Sequence, residues 1–435
     1  MTARLCKIRI YTPFFSAMGT VSGIHPAQPG GTKQEAFRLF LLVFGLFFVV
    51  FTPFSPFSNI GKSCYNRDSK NGVLTAIITK VGGGILLTQT GKAKTKKQAR
   101  PTRRKRLWIL GSVLALLAAL VVFSLLSPVP VAMLIRLLFH GGMASPPPDY
   151  DQLTAQVTVT RNVVYPSAFG RNRLDVYMPV DSAEPCPVVL WIHGGAFVGG
   201  DKSDIAIYAT ALAAQGYGVV CMNYHRAPEA QYPTPLRQVE EVQLWICDNA
   251  AEYGLDSTRL VVAGDSAGAH IAAQFALVQT SDAYATLLGR APVVPPEQLK
   301  AALLFCGPFD VSRIGKGNNA VLNFMMGKAA WAYFGTRDWA SPQTSPPYAV
   351  QASIAPHVTG DFPPAFIADG NSMSFMEQGQ ALAEALAAKA VPVETFFLPV
   401  AEGTTPHEFQ FLLDTPAGQQ AFAQTVAFLE LYVGI

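Results

Sequence analysis

Twenty consecutive uncharged residues, Leu107 to Leu126 (LWILGSVLALLAALVVFSLL), constrain this chain more than any other stretch. At 1.5 Å rise per residue they make a helix of roughly 30 Å, the thickness of the hydrocarbon core of a bilayer. Core helices of globular proteins average three to four turns, and the apolar part of a signal peptide is shorter still. The expectation is therefore an uncleaved transmembrane helix. Charge supports it: residues 1–106 carry 18 Lys+Arg against 2 Asp+Glu, and residues 107–435 carry 15 against 27. Seven of the basic residues crowd between Lys96 and Arg106, and Pro128 and Pro130 follow the run. The positive-inside rule then keeps the leader in the cytoplasm and puts the acidic body on the extracytoplasmic side. A nucleic-acid role has no support, because topology accounts for the basic leader and the body is acidic.

Residues 1–106 read as a basic leader without an independent fold, with one short apolar segment at 39–57. Its core, Leu39 to Phe51, is short for a span, and Pro53 and Pro56 break a helix there. A second span at this point leaves the body on the same side. Residues 127–150 read as a juxtamembrane helix and a Gly/Pro-rich linker. The helix, VAMLIRLLF at 131–139, is apolar apart from Arg136. It suits either packing on the body or a place in the membrane interface.

From residue 151 to 435 the pattern alternates. Val157–Tyr165 and Leu174–Met178 have period-2 alternation, the mark of an antiparallel hairpin. Compact apolar runs follow at 188–192, 218–223, 260–263, 301–306, 365–368 and 393–398, most of them separated by helical patterns. Continuous apolar strands between helices predict a mostly parallel, doubly wound α/β sheet with helices on both faces. Of six cysteines, Cys221 and Cys306 lie in strand patterns and Cys247 in a helical one. Buried thiols are expected, and a Cys186–Cys221 disulfide is conceivable outside the cytoplasm. No Cys/His spacing of the metal-binding kind is present, and the chemistry below needs neither metal nor cofactor.

That chemistry starts at LVVAGDSAGAH (260–270), where a strand runs into Gly264-Asp265-Ser266-Ala267-Gly268 and a small-residue helix. A sharp strand-to-helix turn lifts Ser266 above the sheet, and its neighbours must be small to clear nearby backbone. The helix that follows aims its first N–H groups, Ala267 included, at developing negative charge. Upstream, the strand VVLWI ends in His193-Gly194-Gly195-Ala196-Phe197. Glycines there let N–H groups approach a substrate carbonyl, so Gly194, Gly195 and Ala267 form the expected oxyanion hole. His193 is read as a structural support for that loop. A late histidine, His407, follows the last strand in the order Ser…acid…His.

The HGGAF loop, the GDSAG turn and the PHEF histidine resemble the α/β-hydrolase superfamily over about residues 155–435. The likeness is greatest to its esterase/lipase branch of hormone-sensitive-lipase-like and feruloyl-esterase-like carboxylesterases. Asn223 to Glu229 (NYHRAPE) is similar to the branch's D-Y-R-L-A-P-E loop. The resemblance implies an α/β-hydrolase fold and a serine hydrolase acting on small-molecule or lipid-like esters, to which the apolar run at 107–126 adds a membrane anchor. It implies Ser266 as nucleophile, His407 as base and the three amides as oxyanion donors.

The acid departs from that pattern. Where the branch carries Asp after the penultimate strand, Pro363 to Phe375 places Met373, which cannot accept the imidazole N–H. Glu377, one helical turn on, is the first expectation, ahead of Asp310 and then Asp369. A peptidase or deacetylase of the same fold is the enzymatic alternative. A non-catalytic binding module is the other. The aromatic- and Met-rich stretch VLNFMMGKAAWAYF within 311–350 suits packing on the sheet, or a lid over an acyl pocket.

Overall fold

The computed structural model describes residues 80–81, 84–85, 103–139 and 141–435. The apolar segment at 39–57 and most of the basic leader lie outside the described residues. Lys80–Val81 pairs antiparallel with Gly84–Ile85, and Ser112–Ile435 packs as one compact unit.

Helix α1 (Arg103–Leu126) contains the 20-residue apolar run and is long and apolar enough to cross a membrane. Two residues later α2 (Val129–Leu138) begins, with Val131, Ala132 and Ile135 buried on one face. After the short α3 (Tyr150–Ala155) come β1 (Val157–Val164), β2 (Arg173–Pro179), β3 (Cys186–Ile192), α4 (Ala206–Ala213), β4 (Gly218–Met222) and α5 (Thr234–Tyr253). The second half holds β5 (Leu255–Asp265), α6 (Ala267–Thr280), α7 (Asp282–Leu288), β6 (Leu299–Phe305), α8 (Ala320–Phe334) and α9 (Tyr348–Ala352). It closes with β7 (Ala365–Asp369), α10 (Met376–Ala387), β8 (Val393–Phe397) and α11 (Pro416–Tyr432). One eight-stranded sheet results, in the order β8-β7-β6-β5-β3-β4-β2-β1. Only β2 runs against its neighbours; every other pairing from β4 to β8 is parallel.

Successive strand side chains point to opposite faces, so a strand covered on both sides must be apolar throughout. On β3, Val188, Leu190 and Ile192 enter a core completed by Leu236, Val239 and Ile246 of α5 and Ile271 and Phe275 of α6. Val189 and Trp191 enter the opposite core with Tyr208 and Leu212 of α4 and Phe428 of α11. Each such side chain contributes about 1.5–3 kcal/mol on full burial. That double burial is why 188–192 reads as an unbroken apolar run.

The conceivable disulfide is not formed: Cys186, Cys221, Cys247 and Cys306 are all free. Register gives the reason. Trp191 is the β3 residue opposite Cys221, and Cys186 stands five residues further along the strand, roughly 16 Å away at strand rise. A disulfide needs Cα atoms within about 7 Å.

Candidate active site

β5 ends at Asp265 and α6 begins at Ala267, leaving Ser266 alone on the turn at φ 50°, ψ −118°. That backbone is sparsely populated and costs on the order of 1–3 kcal/mol, so the surroundings must enforce it. They do so through backbone contact. A Cβ at Gly264 would stand 2.5 Å from the backbone of Gly268, and one at Gly268 would stand 2.0 Å from the Ile192 carbonyl oxygen. The Ser266 N–H donates to the Phe305 carbonyl of β6 at 2.8 Å, pinning the turn to the sheet.

His407 lies between β8 and α11, and its Nε2 is 3.0 Å from the Ser266 hydroxyl. Its Nδ1 faces Asp369 Oδ1 at 3.6 Å. Neither of those two buried atoms has another hydrogen-bond partner among the described residues. Asp369 is the last residue of β7, and its other oxygen accepts from the Phe375 N–H at 2.7 Å. The loop after it is bound to the histidine's own loop. The Thr405 N–H donates to Asn371 Oδ1 at 3.0 Å, and the His407 N–H donates to the Ser372 carbonyl at 3.1 Å. The Phe375 ring meets the imidazole edge-on, with centroids 5.6 Å apart. Burial opposes charge on His407, but the Asp369 contact and the nearby Asp369 and Glu408 charges outweigh it, so the imidazole pKa stands above its ordinary value.

The structure does not bring Glu377 to the histidine. Glu377 opens α10 with its side chain 76% exposed and its carboxylate 2.6 Å from Arg313. One turn beyond Met373 the helix has already carried the side chain out to solvent. Asp310 is also engaged elsewhere, its Oδ1 accepting from the Ser312 N–H and from the hydroxyls of Ser312 and Ser353. Of the three carboxylates weighed from sequence, Asp369, the last of them, is the one beside His407.

The oxyanion loop needs a second correction. The Gly194 N–H is not free: it donates to Asp265 Oδ2 at 2.8 Å. A Cβ at Gly194 would stand 2.3 Å from that oxygen, so this glycine makes room for a carboxyl group rather than for a substrate. Gly195, Ala196 and Phe197 then follow with φ of 105°, 54° and 63°. The N–H groups of Gly195 and Ala196 have no acceptor among the described residues. That of Ala267, first in its helix, has no intrahelical one. Asp265 also accepts from Trp191 Nε1 at 2.8 Å. Burial and the Glu408 charge push its carboxyl well above the usual range. His193 is structural, as expected: its Nδ1–H donates to the Gly194 carbonyl at 2.7 Å, and its ring stacks on Tyr224 at 4.4 Å. Burial lowers its pKa to about 3. Asn223, from the NYHRAPE loop, ties down the far end of the oxyanion loop by accepting from the Lys202 N–H and donating to Asp201.

Cys306, Asp369 and His407 put potential metal-binding atoms within 4.8 Å of one another. Burial and the charges of Asp369 and Glu408 push the Cys306 thiol well above its ordinary pKa. Its sulfur accepts from the Glu408 N–H at 3.3 Å, and its S–H donates to Gln410 Oε1 at 3.4 Å. Cys306, read from sequence only as a buried thiol, and Phe375 and Glu408 were not among the expected site residues. Glu408 alone had a signal, its place directly after His407.

The family model described as BD-FAE matches residues 174–386. A probable isoprenylcysteine alpha-carbonyl methylesterase of Oryza sativa subsp. japonica is 28% identical over 52% of this chain and 56% of its own length. The esterase LipI of Mycobacterium tuberculosis is 32% identical over 49% of this chain and 63% of its own length. The chain thus spans between half and two thirds of the length of these curated relatives. Among solved structures, DphMB1 superposes with a TM-score of 0.52 at 26% identity, covering 68% of this chain and 90% of that one. Esterase B of Lactobacillus rhamnosis gives 0.55 at 22% identity over 65% and 91%, a likeness of fold.

Proposed function

The chain belongs to the esterase/lipase branch of the α/β-hydrolase superfamily, and from that premise we propose that it is a membrane-anchored serine hydrolase of carboxylic esters. One observation carries the reading: the 3.0 Å approach of His407 Nε2 to the hydroxyl of a serine held at positive φ on a strand-to-helix turn. Ser266 attacks the ester carbonyl while His407 takes its proton. Asp369, in place of the Glu377 expected from sequence, holds Nδ1–H and steadies the imidazolium. The N–H groups of Gly195, Ala196 and Ala267 receive the oxyanion, each donor worth about 3 kcal/mol. His407 then gives its proton to the leaving alcohol, and water repeats the sequence on the acyl-enzyme. Leu107–Leu126 spans the membrane, with the basic leader inside and the body outside.

The test uses the full-length protein in detergent beside its Ser266→Ala variant. Fluorophosphonate labelling and hydrolysis of nitrophenyl esters from two to twelve carbons are expected to vanish together in the variant. Esterase activity that persists in Ser266→Ala would refute the mechanism. For topology, a membrane-impermeant maleimide should label the exposed Cys247 in intact cells expressing a Cys6→Ser/Cys64→Ser chain. Labelling only after permeabilisation would place the body inside.

A further inference from the structure

α2 has two faces, and each makes a separate connection. Its inner face holds the oxyanion loop. Arg136, the one charge in 131–139, donates from Nε to the Val198 carbonyl at 2.7 Å and from Nη2 to the Ala227 carbonyl at 2.8 Å. The same guanidinium grips both carboxylate oxygens of Glu229 at 2.8 and 2.7 Å. A Cβ on Gly199 would lie 3.4 Å from the Arg136 Cα and 3.8 Å from the Phe139 Cβ. Val198 and Gly199 in turn donate their N–H groups to the Gly195 carbonyl. The end of α2 is therefore a wall against the loop that carries Gly195 and Ala196.

The outer face is apolar and uncovered. Val129, Met133, Leu137 and Leu138 are all exposed, Leu137 by 61%, and their spacing of four, four and one sets them along one side of the helix. What covers this face follows from chain continuity. Only Ser127 and Pro128 separate it from α1, so α2 starts within roughly 11 Å of the end of the apolar run. The two helices do not swing freely. Val121 and Ser124 of α1 are buried in the body, and Lys328 of α8 donates to the Leu125 carbonyl at 3.1 Å, its ammonium 4.3 Å from the centre of the Trp331 ring. α8 also packs beside α2, and its Tyr333 stacks on Phe197 of the oxyanion loop at 4.0 Å.

We propose that α2 lies in the membrane interface with its Val129–Met133–Leu137–Leu138 face in lipid, and that the site therefore takes esters whose apolar chain is held in the bilayer. The carbonyl of such an ester reaches Ser266 beside α2 and α8 while its tail stays among the acyl chains. A water-soluble ester reaches the same serine without using this face. The inference rests on the anchored-hydrolase reading above, and the experiment separates the two.

Full-length protein is reconstituted into vesicles of phosphatidylcholine with a fifth of phosphatidylglycerol. Its turnover of a bilayer-resident long-chain ester, 4-methylumbelliferyl palmitate, is compared with that of nitrophenyl butyrate in the aqueous phase. Met133→Glu/Leu137→Glu is expected to slow the bilayer-resident ester by about tenfold or more and to leave the soluble ester within about twofold. Equal rates with wild type on both esters would overturn the proposal, as would an equal loss on both at an unchanged melting temperature. A second measurement serves a double variant that melts early. Leu137→Trp is expected to be quenched by phospholipids brominated near the interface, and no quenching overturns the proposal. Persistence of both hydrolyses in Ser266→Ala would instead refute the serine mechanism and leave the quenching result standing.

Discussion

Ser266 follows β5 and Asp369 ends β7, alternate strands in the parallel part of one sheet, yet opposite kinds of constraint place them. Ser266 is fixed by backbone pressed on backbone: Gly264 against Gly268, and Gly268 against Ile192. No other residue type fits those contacts, so the turn leaves a recognisable string in the sequence. Asp369 has only to bring one oxygen to His407 Nδ1. Many positions on the facing loop meet that requirement, so the acid can change address while the nucleophile cannot. Met373, at the position where the branch carries its acid, has φ 50° and is partly exposed, and the carboxylate beside His407 belongs to the strand end four residues earlier.

The sharpest break of that contrast is Gly268→Val. With a Cβ placed 2.0 Å from the Ile192 carbonyl, the turn must open, and fluorophosphonate labelling should be lost altogether. Labelling at the wild-type rate would end the steric account of the turn. Next in size is Asp369→Asn, which should lower kcat by roughly 10³–10⁴ with near-wild-type folding. It should also move the acid limb of kcat/KM. The base works neutral, and in the wild type its pKa is raised, so activity should rise with pH through a value above about 6.5. Without the Asp369 charge, burial weighs more and the limb should shift to lower pH; an unmoved limb would remove Asp369 from its place beside His407. The same linkage gives stability a sign. The charged His407–Asp369 pair stabilises fully below about pH 6.5 and is lost as pH rises through the higher folded-state value.

A smaller effect is expected at Asp265, beside the nucleophile. Its folded-state pKa is raised, so the folded protein binds more protons than the unfolded chain from about pH 3.9 upward, and stability falls with rising pH across that window. Asp265→Asn should flatten the dependence, read as melting temperature at pH 5 and pH 8. A slope as steep as in wild type would show that this carboxyl is already ionised in the folded protein. Smallest of all is Glu377→Gln. Its partner Arg313 is itself exposed, so stability should change by less than about 0.5 kcal/mol and kcat should stay within about twofold. A large loss of turnover would return the acid to α10.

The strands and the elbow were legible in the sequence because double burial and backbone contact each demand particular residue types over several positions. The acid was not legible, since a carboxylate's role depends on a distance across two loops, and those loops are joined by hydrogen bonds such as His407 N–H to the Ser372 carbonyl. The oxyanion loop misled for a related reason. In His193-Gly194-Gly195-Ala196, glycine suggests an open approach to substrate. The first of the two instead lacks a Cβ because Asp265 occupies that space, and the N–H of Ala196, which has a side chain, is left without an acceptor among the described residues. The alternative uses of α2, packing or interface, were both visible as one apolar helix with a single arginine. The burial of Val131, Ala132 and Ile135 and the partners of that arginine, 62 to 93 residues away, show that the inner face packs on the body.

Those separations also set an order of events during synthesis. The ribosome releases Arg136 before Val198, Ala227 and Glu229 exist, so for the time needed to add about 90 residues, several seconds or more at typical rates, the helix has no docking partner. The nascent chain at that stage carries an apolar segment, a lone guanidinium and no sheet to receive either. Docking of α2 against the 194–199 loop is thus a late step that awaits the Ala227–Glu229 stretch, and the arginine that completes it is made before the first strand of the sheet.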